Sequence, residues 1–146
     1  MINHAFLISI RPRFAEMIFA GSKTVELRRV CPKVSAGDLA LVYVSSPAME
    51  LRGSFEVGKV LTASPSALWK KVGKNSGITR AEFFAYFKDK KQAHALVIKR
   101  AWPLPNPVGL KTLRRYKGGF RPPQNFHYLN RNDSPLLASL VIAQKN

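Results

Sequence analysis

Two periods alternate along this chain. Residues 4–10 read His-Ala-Phe-Leu-Ile-Ser-Ile, an apolar, β-prone run that predicts a buried strand. Pro12 stands where helices begin, and Phe14, Met17, Ile18 and Phe19 follow at helical spacing. Gly21 closes that helix, because a last turn commonly ends on left-handed backbone. Residues 23–30 then alternate. Thr24, Glu26 and Arg28 fall on one side, Val25 and Leu27 on the other, as in a half-buried strand.

Ala36-Gly37-Asp38 predicts a turn, residues 39–44 an apolar strand, and Ser45-Ser46-Pro47 its end. Residues 53–61 alternate again, with Phe55, Val57 and Val60 facing inward and Gly58 marking a bulge. Ser64 caps and Pro65 opens a helix whose stripe is Leu68, Trp69 and Val72. Thr79 and Glu82 form a capping box ahead of an aromatic helix carrying Phe83, Phe84, Tyr86 and Phe87. Residues 93–102 predict a strand. Residues 103–107 are Pro-rich and extended, 109–119 basic and irregular, and 134–143 a short strand or a terminal helix.

This order predicts an α+β domain spanning residues 1–146: a small barrel or curved sheet with helices over its ends. The 146 residues are enough to bury a core, and the 46% hydrophobic content is that of a globular chain. The first ten residues lack the form of a signal peptide. No apolar stretch reaches the roughly 20 residues of a bilayer span, so no membrane association is expected. A single cysteine, Cys31, forms no internal bridge and suits a reducing, cytoplasmic compartment.

Charge changes the picture most. Lys and Arg number 24 against 8 Asp and Glu, a net +16 with a pI near 10.6. Such a surface concentrates polyanions, and nucleic acid is the expected partner, RNA ahead of DNA. No Cys/His set has metal spacing, no Gly-rich phosphate loop precedes a helix, and eight scattered carboxylates supply no paired acid site. No metal or cofactor is expected.

Ile8-Ser9-Ile10-Arg11-Pro12, followed by Gly21-Ser22-Lys23-Thr24-Val25-Glu26-Leu27-Arg28, resembles the opening of an ASCH domain, a branch of the PUA-like superfamily. Tyr43-Val44-Ser45-Ser46-Pro47 and Pro122-Pro123-Gln124-Asn125-Phe126-His127-Tyr128-Leu129 resemble later segments of bacterial ASCH-like proteins. The resemblance implies a PUA-like β-barrel with a cleft between barrel and flanking helices, in which relatives hold RNA or modified bases. It also implies a possible enzyme, since one branch hydrolyses acetylated cytidine and another is a ribonuclease. In the amidohydrolase branch the Lys of the Gly-x-Lys-Thr turn works with a Thr three residues on and a distant Glu. Here Lys23 takes the Lys place, Glu26 stands in the Thr place, and residues 75–77 hold no acid.

Three constellations carry candidate chemistry. Lys23 with Glu26 and Arg28 can grip a phosphate or a base edge, or form a plain ion pair. For catalysis the candidates are Lys23, as base or electrostatic stabiliser, and Glu26. Tyr43, Ser45 and Ser46 offer hydroxyls at a strand end, suited to lining a cleft or making an ordinary turn. Arg114 and Arg115, ahead of Phe126 and Tyr128, mix cations with rings as single-stranded nucleic acid requires; the same segment can equally close the core. Arg11 and Gln124, within the segments that carry the resemblance, complete the binding set. The reading is a module holding single-stranded RNA or one base in a basic cleft, with hydrolysis of RNA or a modified nucleoside as the alternative.

Overall fold

The computed structural model describes residues 4–116 and 118–129. The elements run β1 (Ala5–Ile10), α1 (Pro12–Ala20), β2 (Val25–Arg28), β3 (Leu39–Val44), β4 (Glu50–Ala63), α2 (Pro65–Val72), a 3₁₀ turn (Gly73–Asn75), α3 (Arg80–Tyr86), β5 (Ala93–Gly109), α4 (Leu110–Tyr116) and β6 (Phe126–Tyr128). The predicted terminal element at 134–143 lies outside the described residues.

One six-stranded sheet runs in the order β2-β5-β4-β3-β1-β6. β1 and β3 are parallel and α1 begins their crossover; the other pairs are antiparallel. The sheet curls until Arg28 Nη2 on β2 reaches the Ser9 carbonyl on β1 at 3.0 Å. It is the α+β half-barrel with flanking helices that the pattern predicts.

Three apolar clusters hold it. Phe6, Ile8, Val42, Val44 and Phe55 pack with Ile18 of α1 inside the curl. Leu7, Leu41, Tyr43 and Leu51 pack with Leu113 of α4 on the other face. Val25 and Leu27 pack against Leu68, Val72, Phe83 and Phe87 of α2 and α3. β3 is therefore buried on both faces, with odd and even residues in different clusters.

Local signals act as expected. Gly21 takes φ 86° and ends α1. Ser64 accepts from the Ala67 N–H at 3.3 Å, and Thr79 and Glu82 close their capping box in both directions. Gly58 is skipped in the β4–β5 register, as a bulge requires.

Three expectations need correction. Residues 109–119 are not irregular, because α4 occupies most of them. β5 does not stop at Trp102 but runs through Pro103, Pro105 and Pro107. β2 pairs only with residues 94–97 of β5, so the outer edge at the prolines asks no N–H of them. Finally, β2 is not half exposed: all four of its residues are buried.

Candidate functional site

The polar side of β2 is buried because it floors a cleft. Glu26 and Arg28 point away from the apolar cluster that takes Val25 and Leu27. Ahead of them the left-handed Gly21 reverses the chain, and the N–H groups of Ser22 and Lys23 both donate to the Met17 carbonyl, at 3.0 and 3.1 Å. The turn aims Lys23 inward, where it is 2% exposed. Its ammonium donates to the Ser76 carbonyl, stands 3.7 Å from Glu26 Oε1 and lies 5.0 Å from the centre of the Phe14 ring. Arg28 Nη2 meets Glu26 Oε2 at 2.8 Å.

Two buried cations thus share one buried carboxylate. Burial lowers the Lys23 pKa below the usual lysine value; the Arg28 and Arg13 charges act in the same direction, while Glu26 opposes them. The Arg28 Nε–H is buried with no hydrogen-bond partner among the described residues. An excess of positive charge at a buried site attracts anionic or electron-rich groups.

Above this floor opens a cleft of about 630 Å³. Its walls come from distant parts of the chain: Ser9 on β1 and Arg11 just after it, Phe14 on α1, Ser45 after β3, Glu82 and Tyr86 on α3, and Gln124 and Asn125 before β6. Ser9 fixes the last of these, since its hydroxyl donates to the Pro123 carbonyl at 2.6 Å and its N–H to the Asn125 carbonyl at 3.0 Å. The Tyr86 hydroxyl donates to the Leu27 carbonyl at 3.3 Å, and burial raises its pKa. On α1 and α3, Arg13 and Glu82 join across the rim by two contacts of 2.8 and 3.2 Å.

Of the predicted binding residues, Arg11, Lys23, Glu26, Arg28, Ser45 and Gln124 meet in this cleft. The others do not line it. Tyr43 belongs to the core on the other sheet face, its ring 6.3 Å from Phe120, because β3 alternates sides and 43 is an outward position. Ser46 lies past the strand end, exposed, while Ser45 is held at the cleft by its N–H bond to the Ile10 carbonyl at 3.0 Å. Arg114 and Arg115 ride on α4, against the outer cluster, and Arg114 Nε donates to the Phe120 carbonyl at 3.3 Å. Phe126 packs into the inner core, and the Tyr128 hydroxyl accepts from the Lys33 N–H at 2.6 Å. Among the described residues, the basic–aromatic segment is thus divided between α4, the core and the outer surface.

Sequence reading missed Ser9, Phe14, Glu82, Tyr86 and Asn125. Phe14, Glu82 and Tyr86 stood out only as helix and capping positions, and Ser9 and Asn125 only as members of the segments that carry the resemblance.

The ASCH domain family matches residues 8–105, the span that builds the floor and most of the walls. The chain belongs to the ASCH domain family. An ASCH domain-containing ribonuclease from Zymomonas mobilis is 27% identical over 92% of this chain and 90% of its own length. The crystal structure of ASCH from Zymomonas mobilis superposes with a TM-score of 0.87 at 26% identity, covering 94% of this chain and 95% of that one. A Ureaplasma parvum sequence named large ribosomal subunit protein uL22 is 35% identical over 87% of this chain, which spans 40% of that protein. Among the described residues of this ASCH protein, no helix is long and apolar enough to cross a membrane, and no cluster of three His, Cys, Asp or Glu side chains could hold a metal ion.

Proposed function

We propose that this ASCH protein binds single-stranded RNA and takes one nucleotide into the cleft over Lys23, Glu26 and Arg28. The observation that carries this reading is the buried triad: two cations and one carboxylate at the bottom of a hollow, in a chain of net charge +16. The volume, about 630 Å³, suits a small ligand part rather than a duplex. Arg11 and Gln124 stand exposed at the rim, where a backbone and a base edge can meet a cation and an amide. Long-range attraction by the basic surface brings the strand in, and the rim and floor position it.

A second reading is cleavage of that RNA, with Lys23 as base or electrostatic stabiliser. One observation favours it. A lysine serves as a base near neutral pH only when its pKa falls, and burial moves Lys23 in that direction. The relative named a ribonuclease, similar over nearly its full length, supports the same reading.

The test incubates mixed single-stranded RNA with the wild type and with Lys23→Ala, following retention and chain length together. Binding without shortening supports the module. Shortening that the substitution abolishes supports the enzyme. A wild type that neither retains nor shortens RNA contradicts both.

A further inference from the structure

Beside the cleft lies a second, more open groove of about 510 Å³, between α1 and the 3₁₀ turn that follows α2. The two hollows adjoin. Ile78 lines both, and the Arg13–Glu82 ion pair straddles their boundary, Arg13 on the groove and Glu82 on the cleft. Gly77 ties their floors together, because a Cβ there would come within 2.8 Å of Met17 Cε on the groove side and 3.4 Å of Lys23 Cβ on the cleft side.

The groove has a ring and two cations. Trp69 is seated directly on Gly73, so closely that a Cβ at 73 would lie 2.7 Å from its Cδ2 and Cε3. Phe83 meets the same ring edge-on, with centroids 5.1 Å apart. Phe84 packs on it as well, with centroids 6.3 Å apart. The half-buried indole is therefore held by Gly73 and two rings, and its accessible part lines the groove. Arg13 and Lys74 line the same groove, both exposed, with the Glu82 carboxylate paired to Arg13 at its boundary. A packed ring with cations in the same groove is what a stacked base and its phosphate require, and every base has a π-face to offer.

The geometry points to this groove as the seat of a second nucleotide, adjacent to the one in the cleft, with its base against Trp69 and its phosphate met by Arg13 and Lys74. The ligand recognised is then a strand of two or more nucleotides rather than a single one. This rests on the reading of the cleft as an RNA site.

The experiment measures dissociation constants for a uridine mononucleotide, the dinucleotide and an octanucleotide, on the wild type, Trp69→Leu and Lys74→Gln. For the wild type, the dinucleotide is expected to bind about 5- to 150-fold tighter than the mononucleotide, the range of one added stacked base. Trp69→Leu is expected to bring that ratio below about 3-fold, and Lys74→Gln to lower it, both leaving the mononucleotide unchanged. In Trp102→Phe, where Trp69 is the one remaining tryptophan, the octanucleotide is expected to quench fluorescence and the mononucleotide is not. A wild-type ratio near one, a ratio indifferent to both substitutions, or no quenching overturns the second seat while leaving the cleft standing. A wild type that binds none of the three overturns both.

Discussion

Arg28 on β2 donates to the backbone carbonyl of Ser9 on β1 at 3.0 Å, joining two strands with three others between them in the sheet. The same nitrogen meets Glu26 at 2.8 Å. One guanidinium thus holds the curl of the sheet and completes the charged floor of the cleft, so fold and site share a residue.

Arg28→Met leaves the buried Glu26 carboxylate with Lys23 alone, 3.7 Å away. Breaking a buried pair from one side typically costs about 3–5 kcal/mol, and a loss near the lower figure is expected because Lys23 remains. Adding Glu26→Gln removes the stranded charge, so the double variant should lose less than the sum of the two single losses. Urea unfolding of the four proteins checks this; strictly additive losses contradict the coupling.

Lys23 titrates below the usual lysine value of 10.5, chiefly because it is buried. Between its folded-state pKa and 10.5 the unfolded chain binds the extra proton, so stability rises with pH across that window. Lys23→Met abolishes the titration. The wild type should therefore gain on the variant as pH rises from neutrality toward 10.5, measured by denaturant midpoints. A difference that stays flat contradicts the buried ammonium.

Glu82 has its pKa lowered from 4.5 to about 2, first by the bond from Arg13 and then by the backbone bond at Thr79. Its contribution is fully present above the unfolded value of 4.5 and is lost as pH falls through about 2. Glu82→Gln should lower the melting temperature at neutral pH, and the deficit should shrink as the pH approaches 2. A deficit independent of pH contradicts this assignment.

Gly53 on β4 lies under α1, and a Cβ there would fall 2.6 Å from Phe19 Cζ and closer still to the Trp102 carbonyl. The backbone partner cannot swing aside. Gly53→Ala should destabilise by about 1–3 kcal/mol or more through overpacking, read as a lower denaturant midpoint. An unchanged midpoint contradicts the close approach of Gly53 to the Trp102 carbonyl and to α1.

Much of the fold was legible because its signals are local. The Gly21 cap, the Ser64-Pro65 start, the Thr79–Glu82 box and the Gly58 bulge each depend on residues within a turn of one another. α4 was hidden by the prolines before it, and the length of β5 by those within it, because where β5 has a neighbour is a long-range fact. Tyr43 was misplaced for a related reason. β3 is apolar on both faces, so its sequence carries no parity. At the site, Lys23, Glu26 and Arg28 were legible because they are close in sequence. Ser9, Phe14, Tyr86 and Asn125 were not, since only the curl of the sheet and the packing of α1 and α3 bring them together.

The most direct test of the central claim compares two faces of the molecule. Affinity for a labelled single-stranded octanucleotide is measured over a salt series, for the wild type, for Arg11→Ala with Gln124→Ala at the cleft rim, and for Arg114→Ala with Arg115→Ala on α4. If RNA sits in the cleft, the rim pair weakens binding about tenfold or more, and the log–log salt slope shrinks by about 0.7 for each phosphate the variant no longer neutralises. The α4 pair should then stay within about threefold of the wild type, as a weaker long-range attraction alone requires. A rim pair that binds like the wild type, with the weakening confined to the α4 pair, contradicts the account.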